Sequence, residues 1–87
     1  ELDLNARVLK FDQNKLSLTE MEANVILFLM NSNEPVNIKK LQEKVWGHMS
    51  DLETHTVETH IYRLRKKILN KFKDDNFIIN DKKGYLI

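Results

Sequence analysis

The chain contains no cysteine. It can therefore form no disulfide, no thiolate metal site and no cysteine nucleophile, a composition that suits a reducing cytoplasm. Glycine and proline are nearly as scarce, two and one in 87 residues, which excludes collagen-like and linker-rich chains. No apolar run approaches the roughly 20 residues that a membrane-crossing helix needs, so no membrane contact is expected of this stretch. Neither a Gly-rich phosphate loop, a Ser/His/Asp order nor a paired-carboxylate cleft stands out, so neither catalysis nor a cofactor is expected.

Hydrophobic residues make up 41% of the chain and charged ones 31%, a balance that folds rather than staying disordered. At this length one domain is expected over residues 1–87, with a little over about 60% of the unfolded surface buried. The chain opens on Glu1 rather than Met, and the expectation is a piece of a longer protein. The net charge of +1 hides an asymmetry. Residues 1–58 carry six basic and ten acidic side chains, whereas residues 59–87 carry eight and three. Between Thr59 and Lys73 there are six Lys/Arg and no acid. Such polarisation points to an extended anionic partner.

Residues 1–18 read as two or three short antiparallel strands: Val8, Leu9 and Phe11, a polar turn at Asp12-Gln13-Asn14, then Leu16 and Leu18 around Ser17. At Thr19 the period changes. Thr19-Glu20-Met21-Glu22 is a capping box, and Val25, Ile26, Leu29 and Met30 give the first helix an apolar face that Asn31-Ser32-Asn33 ends. Asn37 is the N-cap of a second helix. Its stripe is Ile38, Leu41, Val45 and Trp46, with Gly47 as its stop and Trp46 packed rather than offered as a stacking platform. Gly47 to Glu53 reads as a loop. A third helix then runs from about Thr54 to Phe72, roughly 28 Å of rod at 1.5 Å per residue. At 100° per residue Val57, Ile61, Leu64 and Ile68 fall within about 60° and form its buried stripe. His55, Thr59, Tyr62, Arg63, Lys66 and Asn70 lie opposite. Asp74-Asp75 stop this helix. Phe77-Ile78-Ile79 and Tyr85-Leu86-Ile87 then flank a basic, Gly-containing turn and read as a hairpin.

The three histidines do not make a metal site. His55 and His60, five residues apart, point about 140° apart on a helix. The order of elements is instead that of an α+β winged helix-turn-helix: a short N-terminal antiparallel sheet (1–18), a three-helix core (19–73), and a C-terminal β-hairpin wing (77–87). The DNA major groove, about 12 Å wide, accepts one α-helix. Arg63 suits the O6/N7 fork of guanine, and Thr59 offers a hydroxyl and a methyl to base edges. Tyr62 and His55 reach base or phosphate, while Arg65, Lys66 and Lys67 neutralise phosphates and set position without reading sequence. The rival reading is a winged helix whose basic helix meets an acidic protein instead of DNA.

The run from Thr54 to Ile68, THTVETHIYRLRKKI, resembles the recognition helix of the OmpR/PhoB family, the effector domains of two-component response regulators. Leu18-Thr19 with Glu22, Val45-Trp46-Gly47 and Gly84-Tyr85 agree with it at the correct spacing, so the resemblance spans nearly the whole chain. It implies sequence-specific binding of duplex DNA by tandem copies on direct-repeat half-sites. Glu58, Thr59, Tyr62 and Arg63 would face bases; His55, Thr56, His60 and Arg65 would lie near the sugar-phosphate backbone. The loop Gly47, His48, Met49, Ser50, Asp51, Leu52 and Glu53 would face RNA polymerase, and a receiver domain would precede this one. Two departures stand out. The first sheet is one strand short of the family's, attributed to where the fragment was cut. In the wing, Asp81 and Lys82 replace the family's Arg and Gly; an acid does not favour the negative minor groove, which leaves Lys82 and Lys83 as the wing's contacts.

Overall fold

A leucine ladder sets the inner face of the N-terminal sheet. The computed structural model describes residues 1–47 and 53–87. Strands β1 (Leu2–Asp3), β2 (Val8–Phe11) and β3 (Asn14–Ser17) pair antiparallel in that order. Leu9 lies opposite Leu2 on one side and Leu16 on the other, and Leu9 and Leu16 are buried. The period of two thus delivers one apolar face to the core. Asp12 and Gln13 form the turn between β2 and β3, with Asp12 at φ 54°, a left-handed conformation that short polar side chains tolerate.

Helix α1 (Glu20–Met30) opens with the capping box. The Glu22 amide donates to Thr19 Oγ1 at 3.2 Å, and the Thr19 amide donates to Glu22 Oε1 at 2.9 Å. Two amides that the first turn would leave unpaired are thereby satisfied. Its buried residues are Ala23, Val25, Ile26 and Leu29. Met30, expected on that face, is instead 49% exposed. As the last residue of the helix it has packing neighbours on one side only along the axis.

Helix α2 (Ile38–Leu41) begins at Asn37, whose Oδ1 accepts from the Lys40 amide at 2.8 Å. It runs on into a π-helical turn, Gln42–Trp46, where the Gly47 amide donates to the carbonyls of both Gln42 and Glu43 at 3.1 Å. Leu41 is fully buried, and Ile38, Val45 and Trp46 pack half-buried against the core. Gly47 ends the turn at φ 101°, where a Cβ is strained. Of the expected loop beyond it, His48, Met49, Ser50, Asp51 and Leu52 lie outside the described residues.

Helix α3 (Thr54–Phe72) buries Val57, Ile61, Leu64 and Ile68, each at most 1% exposed. Burying each such side chain stabilises the fold by about 1.5–3 kcal/mol, which fixes the rotation of the helix about its axis. Lys73 closes it in the left-handed conformation at φ 60°, its amide donating to the Leu69 carbonyl at 2.8 Å.

The wing consists of β4 (Ile79–Asp81) and β5 (Gly84–Leu86), with Asp81 opposite Gly84 and Lys82-Lys83 at the tip. Its first strand therefore lies two residues beyond the expected Phe77–Ile79, and its second starts one residue before the expected Tyr85. Packing explains the shift. Ile78 is 1% exposed and belongs to the core. Phe77 meets Phe11 edge-on at 5.3 Å between ring centroids, and Phe11 meets Phe72 at 4.9 Å. Side chains drawn into the core leave strand pairing to the more polar residues that follow. The wing is fastened to the segment ahead of α2: the Val36 amide donates to the Tyr85 carbonyl at 2.8 Å, and the Tyr85 amide to the Val36 carbonyl at 2.9 Å. Gly84, at φ 144°, makes that approach feasible, because a Cβ there would stand 2.2 Å from the Val36 oxygen.

Candidate nucleic-acid interface

With the apolar stripe of α3 turned inward, the remaining side chains divide into an outer face and two flanks. His55, Thr59, Tyr62, Arg63, Lys66 and Asn70 are all exposed on the outer face. Thr59 Oγ1 donates to the His55 carbonyl one turn back at 2.9 Å, so its proton is engaged and its methyl and lone pairs remain. Lys66 Nζ lies 5.6 Å from the centroid of the Tyr62 ring, a cation–π distance. Among the described residues Arg63 pairs with no carboxylate. Its fork of donors is available to an external acceptor.

One flank faces the wing. Glu58 shares an open cleft with Asn37, Ile38 and the wing residues Asn80 to Tyr85. Arg65 is half-buried beside Asp74, Asp75, Phe77 and Ile78. Between them, burial raises the pKa of the Tyr85 phenol above its ordinary value; Glu58 adds to the shift and Arg65 opposes it. The phenol is accordingly a neutral donor at physiological pH. At the wing tip Asp81 Oδ2 accepts from the Lys83 amide at 3.1 Å. Asp81 is thus engaged in shaping the turn, which leaves Lys82 and Lys83 exposed as the only cations of the hairpin.

The opposite flank faces α1 and the π turn. Lys67 Nζ lies 2.8 Å from Glu22 Oε1, with side-chain exposures of 36% and 19%. Glu22 therefore holds Lys67 with the oxygen that already caps α1. The His60 ring lies 5.5 Å from that of Trp46, tilted by 55°. In the first turn Thr56 is half-buried, and His55 Nδ1 lies 2.9 Å from Glu53 Oε2. His55 and His60 are thus engaged separately, and among the described residues no group of three His, Cys, Asp or Glu could hold a metal.

The residues singled out on α3 therefore do not form one set. Thr59, Tyr62, Arg63 and Lys66 share the outer face; Glu58 and Arg65 lean to the wing; His60 and Lys67 lean to α1. Sequence reasoning missed the second role of Glu22. Its signal was present: at 100° per residue Lys67 sits about 90° from the centre of the outer face, alongside a flank that some partner had to cover. It also missed the exposure of Leu69, which is 39%.

An exposed cationic helix that follows a helix pair and is flanked by a fastened hairpin defines a winged helix-turn-helix domain. Residues 13–87 match the family described as "Transcriptional regulatory protein, C terminal". The chain belongs to that family, the OmpR/PhoB-type DNA-binding domains of transcriptional regulators. It is 32% identical over 90 residues to the probable transcriptional regulator ycf27 of Galdieria sulphuraria, covering 99% of this chain and 35% of that protein. It is 27% identical over 88 residues to the response regulator ArlR of Staphylococcus haemolyticus, covering 100% of this chain and 40% of that protein. The chain spans well under half the length of these relatives. Among solved structures, the DNA-binding domain of the response regulator AdeR, in complex with an intercistronic region, superimposes with a TM-score of 0.79 at 26% identity, over 100% of this chain and 91% of that one. The C-terminal domain of the nisin resistance regulator NsrR gives a TM-score of 0.79 at 27% identity, over 100% and 88%. Among the described residues no helix is long and apolar enough to cross a membrane.

Proposed function

We propose that this domain binds duplex DNA sequence-specifically as the effector domain of a bacterial response regulator, with α3 in the major groove and the wing beside it. One observation carries the reading: Val57, Ile61, Leu64 and Ile68 are buried, while Thr59, Tyr62, Arg63 and Lys66 stand exposed and uncovered by the domain's own sheet or wing. The AdeR DNA-binding domain, of similar fold, was solved in complex with an intercistronic region, which supports the DNA-binding reading. In it Glu58, Thr59, Tyr62 and Arg63 face bases. His55, Thr56, His60, Arg65 and Lys66 lie near phosphates, and Lys82 and Lys83 approach the duplex from the wing. Lys67 reaches a phosphate only by leaving Glu22.

The finer assignments follow from the family. Two copies occupy direct-repeat half-sites in the cytoplasm, residues 47–53 are the part that meets RNA polymerase, and a receiver domain belongs to the full-length protein. The salt dependence of duplex binding tests the central reading. If about four or five phosphates are neutralised per copy, affinity falls on the order of a hundredfold between about 50 and 200 mM salt. No duplex binding at low salt overturns it in favour of a winged helix that docks an acidic protein.

A further inference from the structure

The outer side of α3 carries an apolar edge that the charge-based reading leaves unexplained. Tyr62 is 61% and Leu69 39% exposed, the two large hydrophobic residues of α3 that stand open to solvent. Seven residues apart, they lie about 10 Å along the axis and only about 20° apart around it, so they share one row. Together with Arg65, Lys66 and Asp75 they line an open notch of about 240 Å³ whose surface is mostly carbon. The Lys66 ammonium, over the Tyr62 ring at 5.6 Å, caps one side of it.

The surroundings of the notch select its occupant. Arg65 and Lys66 draw a polyanion to its rim, while the Asp75 carboxylate in its lining disfavours a phosphate seated inside. What fits is an apolar group carried on a polyanion. The major-groove edge of DNA displays one such group, the 5-methyl of thymine. Resting on the major-groove reading above, we infer that Tyr62, backed by Leu69, is a specificity-determining residue that recognises a thymine methyl. It does so by covering the methyl with carbon surface rather than by hydrogen bonding.

Deoxyuridine substitution tests this, because it removes the methyl and leaves every hydrogen-bonding group of the base edge in place. A bound site is first selected from random duplexes, and each thymine is then replaced singly by deoxyuridine. At one position per half-site the wild-type domain should bind about fourfold more weakly, the worth of one buried methyl-sized group. Tyr62→Ala should bind the thymine and deoxyuridine duplexes equally at that position, and Leu69→Ala should show a reduced difference. Both residues are exposed, and thermal melts of the variants verify that the fold is kept. Wild-type binding that is indifferent to every deoxyuridine overturns the inference while leaving DNA binding intact. So does a methyl preference that survives Tyr62→Ala but disappears in Thr59→Ser. Failure to bind any duplex removes the underlying reading and this inference with it.

Discussion

The α1-facing flank and the outer face of α3 carry similar residues under different constraints. On the side of α1, Lys67 is held at 2.8 Å by a carboxylate that also caps another helix, and His60 lies against Trp46. On the outer face, Arg63 and Lys66 are exposed, and the Lys66 ammonium lies over a tyrosine ring. All four belong to one stretch without an acidic residue, yet they divide by rotation about the helix axis. A cation count along the sequence therefore overstates the charge offered to a partner. What matters is which cations already have an anion inside the domain.

The largest expected effect attacks the packing that sets this rotation. Leu64→Ala should lower unfolding stability by about 2–5 kcal/mol, measured by denaturant titration, because it empties a fully enclosed position; retained wild-type stability would contradict the buried stripe. A smaller effect separates reading from positioning on the outer face. Arg63→Ala should cost about 1–3 kcal/mol on a selected site and little on random duplex, whereas Lys66→Ala should weaken both alike. Equal losses from both variants on both DNAs would leave Arg63 no special part in base recognition. The smallest effect contrasts the outer face with the α1-facing flank directly. Lys66→Ala should reduce the slope of log affinity against log salt by about one, and Lys67→Ala should leave it unchanged. The second variant should register instead as a stability loss on the order of 1 kcal/mol or less, since the pair is partly exposed. A falling slope for Lys67→Ala would mean that the ion pair opens on DNA.

Local patterns were legible wherever a short-range rule governed the outcome. The capping box at Thr19 and Glu22, the Asn37 cap and the stripe from Val57 to Ile68 each follow from helical geometry within a few residues. The misreadings occur where distant contacts decide. Phe77 and Ile78 look like strand residues, but Phe11 and the core claim them, so pairing passes to Asn80 and Asp81. The π turn at Gln42–Trp46 keeps its apolar residues at ordinary helical spacing and so leaves no mark in the pattern. At the interface, the outer face of α3 was readable from the spacing of its apolar residues. The Glu22–Lys67 pair joins residues 45 apart, and the notch beside Leu69 depends on where Asp75 comes to rest. The angle of Lys67 on its helix marks it as a flank residue, but neither its partner nor the notch can be named from local sequence.

The backbone clasp between Val36 and Tyr85, closed over Gly84, turns the hairpin and the helical core into a calliper with a set opening. In the proposed pose, moving β5 away from the core would cost those two backbone hydrogen bonds, so the duplex is expected to do part of the adapting between α3 and the lysine tip. Base sequences that bend readily would then be favoured at positions no side chain touches.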